Sequence, residues 1–267
     1  MDAFELPQAD ASSLVDRHEL EERVQQTYRA LAANPQTPRH FASGRDVAIL
    51  AGYPRDLLDA VPPEVLERFA GVGYHLDLAT LQAGDHVLDL GSGSGTDVFA
   101  AAALVGADGV VVGVDFTDAQ LATARRAARG IDNIGFVDAN IDRLPFDDGS
   151  FDVVISNGAI NLSPVKQRVF AEAARVLRPA GRLAVADIVS ARPLKEATRR
   201  NTELWAACIA GAIPISAYLD TLADAGFSIR TRRRNSYSFA SDRAREACNT
   251  YGVESISLGA IRKESIK

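Results

Sequence analysis

The rhythm of apolar and polar positions changes twice along this chain, at Asp85 and again after Ser190. Before the first change, Leu14, Leu20, Val24, Tyr28 and Leu31 recur at roughly helical spacing. They predict a helix over residues 13–33, stopped by Asn34, Pro35 and Pro38. A loop comes next, and then one or two short helices over 54–70, with Pro62-Pro63 suited to the first turn of the second. From Asp85 onward short apolar runs alternate with helical stretches. Strands are expected at 86–90, 109–114, 134–137, 151–156 and 182–188, and helices at 96–105, 118–129 and 165–177. Thr117 is a good N-cap for the second of these helices. This alternation, with strands apolar throughout, predicts an α/β fold in which a mostly parallel sheet is covered on both faces. After Ser190 a helical stretch carrying Trp205 and Cys208 is expected to reach about Ala212, before Pro214. A helix over 215–225 stopped by Gly226 and two strands near 228–232 and 255–261 would complete the sheet edge. The expected organisation is an N-terminal helical lid segment (1–70), a ligand-binding α/β domain (71–190) and a C-terminal α/β cap with sheet-completing strands (191–267).

Composition narrows the setting. The chain has 267 residues, 47% hydrophobic and 24% charged, enough for one full core with additions. A net charge of −6 argues against a nucleic-acid partner, which would need clustered Lys and Arg. The one local basic run, Arg230, Arg232, Arg233 and Arg234, reads as a solvated strand edge or turn. The most apolar stretch, 98–114, is interrupted by Gly106, Asp108 and Gly109 and is too short to span a membrane. Met1 to Glu5 show no basic region leading into an apolar one, so the expected location is cytoplasmic. Cys208 and Cys248 are the only cysteines, too few for a disulfide framework or a self-contained zinc site. The four histidines, His18, His40, His75 and His86, have no metal-ligand spacing, and no metal is expected.

The strongest chemical signal lies between the first strand and its helix: Asp89-Leu90-Gly91-Ser92-Gly93-Ser94-Gly95. Such a loop lets the backbone turn tightly and approach a ligand at the carboxyl ends of the strands. A dinucleotide fingerprint would put its third glycine or alanine at position 96, where Thr96 stands. Asp115 follows Gly95 by about 20 residues, at the end of the second strand, where a carboxylate can accept both hydroxyls of a ribose. Asn140 and Ile141 follow the third strand, where they could address an adenine edge, and Asn157 closes the fourth beside the same pocket.

This ordered set resembles the class I S-adenosylmethionine-dependent methyltransferases over about residues 70–190, with a Rossmann-like fold. The alternatives are a nicotinamide dehydrogenase or a Rossmann domain that has lost its ligand. The resemblance implies S-adenosylmethionine as cofactor, with the backbone at Gly91, Ser92 and Gly93 near the methionine moiety and Asp115 on the ribose. Phe116 would pack on adenine, Asn140 and Ile141 would hold its edge, and Gln120, Asn157 and Tyr28 would complete the site. Asp89 would either join it or hold the loop. A sulfonium methyl is already activated, so transfer needs positioning more than acid–base groups. His75, with Tyr74 beside it, is the candidate base if the acceptor starts protonated.

Several phrases, among them Asn157-Gly158-Ala159-Ile160-Asn161-Leu162-Ser163-Pro164 and Cys208-Ile209-Ala210-Gly211-Ala212, are similar to a narrower family, the arsenite methyltransferases. The similarity runs over about residues 70–228. That family holds arsenic with cysteine thiolates, soft ligands for a thiophilic centre. Here Gly158 and Val72 stand where two of those cysteines are expected, the segment 41–44 has none, and only Cys208 remains. The expectation is therefore methyl transfer to the O, N or C of a small organic acceptor. Its pocket would involve Gly158, Asn161, Trp205, Cys208 and Tyr218. Two alternatives stay open: an arsenite or thiol methyltransferase relying on Cys208, and a protein that binds the cofactor without transferring methyl groups. No nucleic-acid or membrane partner is expected, and a homodimer is left open.

Overall fold

Val87, Leu88 and Leu90 in β1 (His86–Leu90) and Val153, Val154 and Ile155 in β4 (Phe151–Asn157) are fully buried. A strand apolar on both faces has to sit mid-sheet between two helical layers. The computed structural model describes residues 10–37, 41–240 and 242–264, and Met1 to Glu5, Pro38 and His40 lie outside them. Among the described residues one seven-stranded sheet has the order β3-β2-β1-β4-β5-β7-β6. Its further strands are β2 (Val110–Asp115), β3 (Ile134–Asp138), β5 (Leu177–Val189), β6 (Phe227–Arg234) and β7 (Glu254–Arg262). The first five strands run parallel, and β7 enters antiparallel between β5 and the edge strand β6.

Helix α6 (Thr96–Val105) packs on one face of the sheet, with α3 (Arg55–Asp59), α4 (Pro63–Leu66) and α5 (Leu76–Ala79) joining the same apolar cluster. On the other face lie α8 (Lys166–Val176) and α11 (Ile215–Asp224). Helix α1 (Arg17–Ala33) is capped by Asp16, whose carboxylate accepts from Glu19 N at 2.9 Å. It lies against α7 (Asp118–Ala127) and α10 (Thr202–Ala206). That places the N-terminal helix over the carboxyl ends of β1 and β2, where the glycine loop lies.

Three expectations about local structure need correction. The stretch expected to stay helical to about Ala212 breaks into α9 (Glu196–Arg199) and α10, ending at Ala206, because Cys208 takes φ +60°. The stretch taken as a loop before residue 54 contains α2 (Arg45–Leu50). The segment before β7 contains α12 (Asp242–Tyr251), whose sequence RAREACN carries too few apolar residues to signal a helix. The arginine run lies on β6, where Arg233 pairs with Asp77 and Arg234 with Glu254. No helix among the described residues is long and apolar enough to cross a membrane.

Candidate active site

The turn from β1 into α6 is held by its own backbone. The N–H groups of Gly91 and Ser92 both donate to the Val114 carbonyl, at 2.8 and 2.9 Å. Asp115 is buried one residue further along β2. Its two oxygens accept from Gly93 N at 2.9 Å and Thr117 N at 2.8 Å. Gly93 has φ +53°, and a Cβ there would meet nothing within 4 Å. It would project into open space, as a wall built against a ligand requires.

That space is a cavity with an empty volume of about 1060 Å3, counting its mouth. The loop residues Gly91, Ser92 and Gly93 form its floor with Asp115 and Phe116. Gln120, Asn140 and Ile141 line one side, Asn157 and Gly158 the other, and Tyr28 the roof. The roof is tied down at several points. Gln25 Nε2 donates to Phe116 O at 2.9 Å, Gln120 Nε2 to Tyr28 O at 3.2 Å, and Asn140 Nδ2 to Glu21 Oε1 at 2.9 Å. Arg17 reaches Asp142 at 3.0 Å.

A group that the sequence reading passed over lies at the Gly91 end. Asp97, in the first turn of α6, lines the cavity and accepts hydrogen bonds from the Tyr53 hydroxyl and from Asn157 Nδ2 at 3.2 Å. Asn157 Nδ2 also faces Gly73 O at 2.9 Å, and its oxygen accepts from Val72 N at 2.7 Å. A carboxylate opening the helix after a glycine loop was a usable local signal for Asp97. Tyr53, far away in sequence, had none. Asp89 lies behind the loop, outside the cavity lining. Burial, followed by the charges of Asp97 and Asp115, pushes its carboxyl well above the usual range. Burial also raises Asp115, against the hydrogen bonds it accepts. Among the described residues no Lys, Arg or His is salt-bridged to Asp89, Asp97 or Asp115. Asp97 and Asp115, buried on the cavity lining without a protein cation, suit a positively charged ligand.

The candidate base fares differently. His75 is fully buried at the start of α5, outside the cavity lining, and neither ring nitrogen reaches hydrogen-bond geometry, the Gly73 backbone included. Burial holds its pKa below the ordinary value, so it stays neutral. Tyr74 also lies off the cavity, its ring 4.8 Å from that of Tyr53. The expected acceptor-pocket residues divide in the same way. Trp205 and Tyr218 are packed inside: Trp205 Nε1 donates to Arg199 O at 2.6 Å, and the Tyr218 hydroxyl to Asp187 at 2.8 Å. Asn161 is buried too and fixes the loop at Cys208 by donating to its carbonyl at 2.8 Å. Gly158 remains on the cavity wall. Behind it, Cys208 Sγ lies 3.9 Å from Gly158 O, and a Cβ on Gly158 would touch Val72 at 3.4 Å. Val72, Gly158 and Cys208, far apart in sequence, thus meet at one point.

A family model described as a methyltransferase domain matches residues 81–239, more than half of the chain. An arsenite methyltransferase of Aquipseudomonas alcaligenes is 36% identical over 91% of this chain and 78% of its own length. The chain belongs to the arsenite methyltransferase family. The family's Halobacterium salinarum arsenite methyltransferase is 42% identical over 59% of this chain, which spans 41% of that relative's length. A crystal structure of an arsenic(III) S-adenosylmethionine methyltransferase from Chlamydomonas reinhardtii superimposes with a TM-score of 0.67. It is 35% identical and covers 79% of this chain and 73% of its own.

Membership of this family brings S-adenosylmethionine as cofactor, and the cavity suits it. The cofactor carries a sulfonium and an ammonium, and two buried carboxylates without a protein cation, Asp97 and Asp115, line the cavity. The open face of Gly93 leaves room for it. No cluster of three or more His, Cys, Asp or Glu among the described residues could hold a metal ion.

Proposed function

We propose that this family member transfers the methyl group of S-adenosylmethionine to the oxygen, nitrogen or carbon of a small organic acceptor, and not to arsenite. The observation that carries this reading is the meeting of Val72, Gly158 and Cys208. The positions where the family has thiolates come together, yet only one thiol is present. Burial pushes that thiol up to about 12, so at neutral pH it is not the thiolate a soft metalloid needs.

Within this reading Asp115 binds the ribose, its carboxylate preset by Gly93 and Thr117. Phe116 packs on adenine, Asn140 and Ile141 hold its edge, and Gln120 keeps the roof in place through Tyr28 O. Asp97, steadied by Tyr53 and Asn157, faces the ammonium of the methionine end. When bound, S-adenosylmethionine supplies a methyl on positively charged sulfur, so an acceptor lone pair can take the carbon while the carbon–sulfur pair stays on sulfur. The chain's own contribution is to exclude water beneath α1 and to fix the acceptor in line, which supplies most of the acceleration. An acceptor hydroxyl gives its proton to bulk solvent before the site closes, since His75 is walled off.

The test is turnover with arsenite and excess glutathione in protein shown to bind S-adenosylhomocysteine. Wild type should give no methylated arsenic, and V72C/G158C, which restores two thiols beside Cys208, should give some. Space allows the second substitution, although Gly158 has φ +73° and a side chain there costs about 1–2 kcal/mol. Methylated arsenic from wild type would overturn the reading.

A further inference from the structure

S-adenosylmethionine carries a carboxylate beside its two cationic groups, and a carboxylate taken out of water needs a cation or spare N–H donors. The glycine loop has few donors to spare. The N–H groups of Gly91 and Ser92 already donate to Val114 O, that of Gly93 to Asp115, and that of Gly95 to Ser92 O. Among the described residues two cationic side chains line the cofactor cavity, Arg17 and Arg68. Arg17 is fully engaged, with Glu21 at 2.7 Å and Asp142 at 3.0 Å. It also stands at the adenine end, since Glu21 is the group that accepts from Asn140 Nδ2.

Arg68 is different. It follows α4, and its side chain is only 14% exposed. Nε donates to Ala32 O in the last turn of α1 at 2.8 Å, and Nη1 to Glu64 O at 2.6 Å. Both acceptors are neutral carbonyls. Its ion pair with the exposed Glu67, at 3.9 Å, is beyond hydrogen-bond distance. Among the described residues Nη2 makes no hydrogen bond. From Arg68 the chain continues along the cavity wall through Phe69, Ala70 and Gly71. A Cβ on Gly71 would meet Asn157 Nδ2 at 2.5 Å, and that nitrogen reaches Asp97 at 3.2 Å. The segment bearing Arg68 therefore runs to the Asp97 end of the cavity.

We propose that Arg68 binds the carboxylate of the cofactor's methionine moiety, while Asp97 takes its ammonium. The inference rests on the placement of the methionine end beside Asp97 given above. No ion pair joins Arg68 to Asp97 among the described residues, so the two opposite charges stay separate on one wall, as a zwitterion requires. A guanidinium already fixed by carbonyls at two of its nitrogens loses little freedom when a carboxylate arrives. Arg68 also supplies the cation that the last turn of α1 lacks in its own sequence. The residue that holds the carboxylate thus holds the end of the roof helix as well.

Calorimetry with three ligands tests this: S-adenosylhomocysteine, its decarboxylated analogue, which keeps the amine, and 5′-methylthioadenosine, which keeps neither group. Arg68→Gln is expected to weaken S-adenosylhomocysteine by about tenfold or more, and the other two by less than about twofold. Unchanged 5′-methylthioadenosine affinity also shows that the variant is folded. Arg68→Lys keeps the charge but not the planar fork, and its loss should be smaller and equally confined to the carboxylate-bearing ligand. Asp97→Asn should instead weaken S-adenosylhomocysteine and the amine analogue alike. The proposal is overturned if neither Arg68 variant weakens S-adenosylhomocysteine. It is also overturned if all three ligands weaken together, as loss of a merely structural tie to α1 would make them. Indifference of both amine-bearing ligands to Asp97→Asn would instead remove the placement on which the proposal rests.

Discussion

The glycine-loop end of this molecule and the region around Cys208 both bury charge, and they handle it in opposite ways. Around the glycine loop, Asp89, Asp97 and Asp115 are buried without a protein cation among the described residues. Near Cys208, Asp187 and Lys166 are just as buried, yet the protein satisfies them itself. The Asp187 carboxylate accepts from the Tyr218 hydroxyl on α11 and from Ile188 N on β5. Lys166 Nζ donates to Asn161 O and Ser163 O, both at 2.9 Å, and lies 5.0 Å from the Trp205 ring centre. Charge that the fold has already paired is scaffolding. Charge left unpaired at a cavity floor is provision for a ligand.

That distinction is broken most directly at Asp115. Each of its oxygens accepts one backbone N–H, and an amide could serve only one of them while turning a donor toward the other. Asp115→Asn is expected to weaken S-adenosylhomocysteine binding by about 100-fold in calorimetry and to cost about 1–3 kcal/mol of stability through the mispaired backbone N–H. Equal affinity would mean that the acidic floor does not hold the cofactor. At the other end the effect should fall on folding and not on binding. Tyr218→Phe removes a buried donor from Asp187 and should cost about 1–3 kcal/mol in urea unfolding, with cofactor affinity unchanged. Burial raises Asp187 to about 6, above its unfolded value, so native stability falls as pH rises from about 4 toward 6. Loss of the Tyr218 donor raises the folded pKa further, and the fall then continues above 6. The variant should therefore lose more stability at pH 8 than at pH 5, and a deficit independent of pH would contradict the assignment.

The cofactor half was legible in the sequence because its chemistry is local. A strand, three alternating glycines and an acid at the next strand end follow in order, and Gly91, Ser92, Gly93 and Asp115 are brought to one cavity. The region around Cys208 is assembled from places far apart in the chain, so its side chains were misjudged. Trp205 and Tyr218 looked like aromatic pocket walls, yet each buries its polar atom against the protein. His75 looked like a base near the sheet, but its position at the start of α5 turns it into the core. Tyr53 carried no local signal, since nothing in its neighbourhood shows that it meets Asp97. Helix α10 ended early for a related reason. The chain turns out of the helix at Cys208, whose carbonyl accepts from the distant Asn161 amide, a contact that helical periodicity cannot show.

The smallest effect is expected where the lid meets water. Arg29 on α1 pairs with Asp118 on α7 at 2.8 Å, with both side chains largely exposed. The Arg29 guanidinium holds Asp118 below the usual carboxylate range. A pair of this kind is screened by salt and contributes little by itself. Other ties of α1, from Gln25 to Phe116 O and from Asn140 to Glu21, would remain in place without it. Arg29→Ala should therefore weaken S-adenosylhomocysteine by no more than about threefold at low ionic strength, and not at all at high salt. A larger loss that persists in salt would mean that closure of α1 depends on its outer rim. The cofactor site would then owe its affinity as much to the roof as to the acidic floor.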